Sequence, residues 1–325
     1  MTDPSRRHRL TGLEADNLLA FLALLGTLRC LEAARPEWKP RATWTPEEPP
    51  LRPTLILSEA QTQAAICQAV ADGAALLAKD YSFPDGNGSA QKDLNYSPHT
   101  ARSLLSNAAS DQHARRAELW SALMCDAAYK EDKIEATPLC LLFGQGHQHF
   151  LDRLSNVPRL DAPPPRGRGK KATPVGADDT IREALFEPWE RRDPTPSFRW
   201  DPAEDVRYAL RADDPSGDKS TTQHGANRLA ALGLPALTVV PHQRGDRVRL
   251  RVLGGVFERN EFIFSWPIWT APISLTGIRA LLGHPDLGHN SSALAYLGVV
   301  EVRQARRISV GKFMNFTRAA PSRPV

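Results

Sequence analysis

Two histidines, His147 and His149, stand two positions apart in the segment GQGHQHF and form the most enzyme-like local feature of this 325-residue chain. On a helix such side chains diverge; on extended chain they share a face and can bind one metal ion. A metal-dependent nuclease or RNA-processing subunit using His147, His149 and a nearby acid is therefore one reading. No HExxH accompanies the pair, and no Asp or Glu lies inside the motif. The plainer reading has one histidine bonded to a backbone carbonyl and the other exposed. His284 and His289 in GHPDLGHN are separated by Pro285 and Gly288, which mark a turn. Paired carboxylates occur at Asp178–Asp179, Glu204–Asp205 and Asp213–Asp214, and two carboxylates with Mg²⁺ can cut a phosphodiester. Asp178 and Asp179 precede a helical run, however, where acids serve the N-terminal dipole. In the turn RWDPAED, Arg199, Asp201 and Asp205 suit an internal ion pair. GQG and SGDKST lack the GxxxxGK[ST] of a phosphate loop, no GxSxG occurs, and no cysteine adjoins a histidine. Nucleotide hydrolysis and nucleophilic catalysis find no support. The chain reads as non-enzymatic, with no catalytic residue, no metal and no cofactor.

The cations point to a different chemistry. The chain carries 41 Lys/Arg against 37 Asp/Glu, but from Val240 onward there are twelve against five. A basic last third on a slightly acidic body suggests an anionic partner on one face. Arg166, Arg168, Lys170 and Lys171 fall within the six residues RGRGKK, whose glycines let the segment follow a phosphate backbone. VRQARRISVGKFMNFTR joins Arg303, Arg306, Arg307, Lys312 and Arg318 to Phe313 and Phe316. Cations with aromatic faces suit single strands or exposed bases. Arg306, Arg307 and Lys312 form a second expected anchor, with Phe313 or Phe316 able to stack. Asn227 and Arg228 open the segment GANRLA, where they can read base edges or, alternatively, cap and pin a helix. These residues make up the candidate nucleic-acid set. RGDRVRLRV puts Arg247, Arg249 and Arg251 on one strand face, but a solvated charged surface is the plainer reading there, and they stay outside it.

The elements that must position these groups read as α+β. The segment LTGLEADNLLAFLALLGTLRCLEAARP predicts a helix capped by Asp16 or Asn17, apolar nearly all round and stopped by Pro36. Residues 1–10 read as a mobile basic tail. LRPTLIL reads as a strand, Ser58 as the cap of a second helix, and helical runs follow at HTARSLLSNAA and ARRAELWSALMCDAAY. PLCLLF reads as a strand and GQGHQHFLDRLSN as the opening of a helix. From Pro158 to Gly176, three consecutive prolines and four cations predict a linker. The expected organisation is a mostly helical region 1–157, a basic Pro-rich linker 158–176 and a mixed strand/helix region 177–325. The latter holds helices at DDTIREALFEPW, GANRLAALGL and SLTGIRALL, and strands at LTVV, RVRLRVL, EFIFSW and GVVEVRQARRI. Proline, 27 residues or about 8%, exceeds the usual ~5%. No run approaches the roughly 18 apolar residues of a membrane span. The widely spaced Cys30, Cys67, Cys125 and Cys140 read as free thiols in a reducing cytoplasm.

Several of these segments carry a resemblance. FRWDPAEDVRYALRADDPS, GANRLAALGLPAL, FIFSWPIWTAPISL and RRISVGKFMNF, in that order, resemble a C-terminal block of proteins from type I-G (formerly I-U) CRISPR loci, including a helicase-nuclease-extension family and large-subunit-like components. GLEADNLLAFLALLGTLR is similar to the first buried helix of such proteins, and GQGHQHFLDRL to an internal segment. The patches cover about half the chain. The resemblance implies a non-catalytic, cytoplasmic subunit of an RNA-guided surveillance complex, with crRNA, target DNA and neighbouring effector subunits as partners, flanking-motif recognition or recruitment of the helicase-nuclease as its further roles, and no membrane. A protein-only adaptor is the further alternative.

Overall fold

A computed structural model describes residues 4–85, 87–110, 114–144, 148–167, 169–204, 221–259, 261–288, 292–310 and 313–322. The first helix, α1 (Leu18–Ala34), begins where Asn17 takes an extended conformation and its side chain accepts the Leu19 N–H. Every residue from Leu18 to Leu31 is buried, as an apolar surface on all sides requires. Before it, β1 (Arg7–Arg9) pairs antiparallel with β3 (Pro53–Ile56), which also pairs with β2 (Arg41–Trp44). The expected basic tail is thus an edge strand from Arg7, with His8 buried beneath it. Next comes α2 (Gln63–Ala78), capped by Thr62 rather than Ser58, the Thr62 hydroxyl accepting the Ala65 N–H. A helical pair α3 (Pro98–Ser110) and α4 (Ala114–Leu123) follows, then the small hairpin β4 (Tyr129–Lys130) and β5 (Lys133–Ile134). PLCLL is buried and Phe143 exposed, and Phe143 alone of the six makes a strand-type bridge, to His149. The short α5 (Phe150–Asn156) starts immediately after that bridge.

Two helices of the second half return to the first: α6 (Ala177–Phe186) packs on α2, and α7 (His224–Gly233) packs along α1. The α1–α7 approach is close enough to require glycine on both sides. A Cβ on Gly26 would stand 1.8 Å from the Leu229 carbonyl oxygen, and one on Gly233 would stand 2.3 Å from that of Leu22. Antiparallel strands β6 (Val239–Arg244) and β7 (Arg247–Val252) form a separate ribbon. They are followed by β8 (Gly255–Glu258) and β9 (Glu261–Trp269), then α8 (Leu275–Leu282) with Ser274 as its cap and α9 (Ser292–Tyr296). The chain ends in β10 (Val299–Val310), β11 (Phe313–Phe316) and β12 (Ala320–Pro321). The main sheet runs β11-β10-β9-β8, with β12 also on β10. Phe21 of α1 stacks on Trp266 of β9, ring centroids 5.3 Å apart.

The architecture is α+β. Its apolar residues form one buried cluster from Leu10 to Ala319, so the expected linker does not divide two cores. Nor is the described part of that segment loose. Arg166 and Thr173 exchange backbone hydrogen bonds of 2.9 and 2.7 Å, and the Pro158 carbonyl accepts Arg228 Nε at 3.0 Å.

Candidate nucleic-acid interface

The expected contacts fall into three groups. The first is built into the fold. Arg166 makes a two-pronged pair with Glu183, 2.6 and 2.7 Å, and reaches Asp193 through Nε at 2.9 Å and Nη2 at 2.8 Å. Asp193 is 1% exposed and also accepts the His224 N–H at the start of α7. Arg166 therefore fastens α6 to α7 and does not lie along a phosphate backbone. Asn227 is buried, its Nδ2 bonded to the Thr222 hydroxyl and the Gln223 carbonyl. Arg228 is wholly buried, holding the Pro158 carbonyl and Asp161. Both are corrected from base readers to pins of α7, because the glycine-mediated approach to α1 encloses that helix. Phe316 is corrected likewise: it is 1% exposed, edge-on to Phe262 at 6.1 Å, and offers no face to a base.

In the second group, cations of the carboxyl-terminal segment meet acids or carbonyls of the same chain. Arg303 pairs with Glu301, Arg306 with Glu261 at 2.7 Å, and Arg318 with Glu14 and Asp16 at 3.0 Å. Arg307 donates to the Pro138 carbonyl at 3.0 Å and lies 5.4 Å over the Phe262 ring. Burial depresses its pKa below the ordinary arginine value. Arg303, Arg306 and Arg318 are thus paired with acids of the same chain, although Arg306 remains half exposed. Lys170 and Lys171, in the third group, are exposed on a one-turn 3-10 segment. Arg168 and Lys312 lie outside the described residues; Phe313 occupies a strand position opposite Val310.

The histidine and carboxylate motifs are placed in part. His149 Nδ1 donates to the Asp93 carboxylate at 2.9 and 3.0 Å. His147, Asp205, Asp213, Asp214 and His289 lie outside the described residues. Asp201 is buried and is held by Arg191 Nε at 2.7 Å, Asn17 Nδ2 and the Ala203 N–H, not by Arg199, which donates to Gln148. Among the described residues no three His, Cys, Asp or Glu side chains are grouped to hold a metal ion. All four cysteines are free, and burial pushes the Cys30, Cys67 and Cys140 thiols up to about 12.

Apart from Lys170 and Lys171, a cluster of solvent-facing cations among the described residues lies on the β6–β7 ribbon. Its register sets Arg244 opposite Arg247, His242 opposite Arg249 and Val240 opposite Arg251. Residues in register share a face, so four arginines and a histidine collect on one side. The other face holds Val239, Pro241, Gln243, Val248, Leu250 and Val252, of which Val239, Leu250 and Val252 are buried in the core. Gly245, at φ +62°, begins the two-residue turn, as a II′ hairpin requires. Glu135, just after β5, clasps the ribbon: Oε1 meets Arg249 Nε at 2.6 Å and Oε2 accepts the Leu250 N–H at 2.8 Å. The Phe257 ring carries the Arg249 and Arg307 guanidiniums, each 5.8 Å from its centroid. Arg307, a member of the expected second anchor, thereby reaches this surface. Arg244 donates to the Arg259 carbonyl. Among the described residues neither Arg247 nor Arg251 has an acidic partner. Alternation in RVRLRV signalled the face, but the opposing cations of β6 emerge only from the register.

No helix among the described residues is long and apolar enough to cross a membrane. No protein-family model, curated protein or solved structure matches the chain.

Proposed function

We propose that this chain is a nucleic-acid-binding subunit without chemistry of its own, working in the cytoplasm within a type I CRISPR surveillance complex of the kind its sequence resembles. The observation that carries the binding reading is the ribbon face, where Arg244 and Arg247 stand directly opposite one another and Arg251 lies on the same side. Facing like charges lower hairpin stability, and a polyanion laid across them reverses the sign of that interaction. In complexes of this kind guide pairing reads sequence while protein subunits hold backbone and flanking duplex. A cationic surface, with no cluster of three His, Cys, Asp or Glu side chains among the described residues, suits that division of labour.

Binding of labelled oligonucleotides by the full chain, measured by fluorescence anisotropy from about 50 to about 200 mM salt, tests the reading. With three or more arginines on phosphates, the slope of log K against log salt is about −3 or steeper. No binding at the lowest salt overturns it and leaves a protein-only adaptor. The same oligonucleotides stay intact with Mg²⁺ and with EDTA; cleavage that EDTA abolishes overturns the non-catalytic part and returns attention to His149 and Asp93.

A further inference from the structure

We propose that the β6–β7 ribbon lies face-on in the major groove of B-form DNA, making duplex DNA the polymer this surface takes. The inference rests on the nucleic-acid reading and narrows it. Six residues per strand at about 3.4 Å each give a ribbon roughly 20 Å long, and its two strands lie about 4.8 Å apart. The major groove of B-DNA, about 12 Å wide, admits a two-stranded ribbon. The A-form RNA major groove is deep and narrow and does not admit one.

The side chains agree with the dimensions. The formally charged residues of the face are all arginines, at 244, 247, 249 and 251. A guanidinium matches both a phosphate and the guanine O6/N7 pair with two parallel hydrogen bonds, which a lysine ammonium does not. Arg247 and Arg251 sit four residues apart on the same face of one strand, about 14 Å. That separation spans roughly four base-pair rises along the duplex. Single-strand binders instead offer aromatic platforms on which bases stack. No Phe, Tyr or Trp belongs to this face, and the nearby Phe257 ring already carries two guanidiniums. Tyr129, on β4 of the hairpin that Glu135 follows, is an exposed aromatic at 56%. It therefore serves as the control for stacking.

The test uses the full chain and a labelled duplex DNA of about 20 base pairs, the RNA duplex of the same sequence and one DNA strand alone. Arg247→Ala/Arg251→Ala and Tyr129→Ala are compared with wild type, each checked for a melting temperature no lower than that of wild type. Duplex DNA is expected to bind at least about tenfold tighter than either other polymer, and the arginine double variant to lose at least about tenfold. That variant's salt slope is expected to flatten by about 1.8, two phosphate contacts' worth. Methyl green, a major-groove ligand, displaces the protein, whereas netropsin in the minor groove does not, and Tyr129→Ala binds as wild type. Equal affinity for the three polymers, displacement by netropsin alone, or loss of binding in Tyr129→Ala but not in the arginine variant overturns the groove assignment while the broader reading stands. Absence of binding to all three overturns both.

Discussion

Arg166→Ala separates a phosphate contact from a structural tie. The guanidinium has two prongs on Glu183 and two on Asp193, all between 2.6 and 2.9 Å. The side chains of Arg166, Glu183 and Asp193 are 19%, 12% and 1% exposed. Removing one partner of a fully buried pair costs about 3–5 kcal/mol, because the other charge stays behind without compensation. Here two carboxylates are left behind and the arginine is one-fifth open to water, so a loss of about 2–4 kcal/mol is expected. At roughly 2 °C per kcal/mol for a chain this long, melting falls by about 4–8 °C. In urea the midpoint shifts and the slope does not. Oligonucleotide affinity is unchanged.

Two companion measurements make the assignment specific. Arg166→Ala/Glu183→Gln removes one stranded carboxylate and recovers part of the loss, a coupling that distant sites do not show. The pH dependence follows from Glu183, whose carboxyl the Arg166 hydrogen bonds hold below its ordinary value despite partial burial. A depressed carboxyl stabilises the fold above its unfolded pKa and loses that contribution as pH falls through the folded one. The difference between wild type and variant is therefore largest at neutral pH and shrinks below about pH 4. Unchanged stability together with weakened oligonucleotide binding refutes the structural tie and returns Arg166 to the nucleic-acid surface.

Two further predictions concern the fold. Gly26→Ala places a methyl group 1.8 Å from the Leu229 oxygen, so α1 and α7 must part, at a cost of about 3 kcal/mol or more; a urea midpoint equal to wild type refutes the close approach. Glu204, half-buried, is pushed up to about 7 by burial first and by neighbouring Asp201 next. A raised carboxyl pKa means stability falls as pH rises from about 4.5 to about 7, so Glu204→Gln flattens that decline and stabilises by up to about 2 kcal/mol at pH 8. An identical pH–stability curve for the variant contradicts this.

Much of the fold was legible because periodicity and punctuation are local. The unbroken apolar surface of α1, its Asn17 cap and the alternation in RVRLRV needed no knowledge of distant residues. What was not legible is relational. Arg318 finds Glu14 from 304 positions away, and Arg166 finds Glu183 and Asp193 across a chain reversal. A window of sequence sees the cations and misses their acids. This is why the carboxyl-terminal segment read as the stronger anchor and the ribbon as ordinary charged surface. The N-terminal strand was missed for a related reason: RHR has no apolar alternation and is held by pairing with β3. PLCLLF misled in the other direction, since a short buried apolar run does not distinguish a strand from irregular chain packed under a sheet.

Arginine density is a poor guide to a polyanion site until internal pairing has been subtracted. Arg303, Arg306 and Arg318 are matched by acids of the same chain, so a nucleic acid binding them must first displace those acids. On the ribbon the situation is reversed. Glu135 takes Arg249 and, through the Leu250 N–H, fixes the hairpin's position, while Arg247 and Arg251 are left without acidic partners among the described residues. The buried Val239, Leu250 and Val252 supply the packing that offsets repulsion between Arg244 and Arg247. A surface whose repulsion is sustained by the packing beneath it is charged in advance of any ligand, and meeting a phosphate backbone there requires no intramolecular ion pair of Arg247 or Arg251 to be broken.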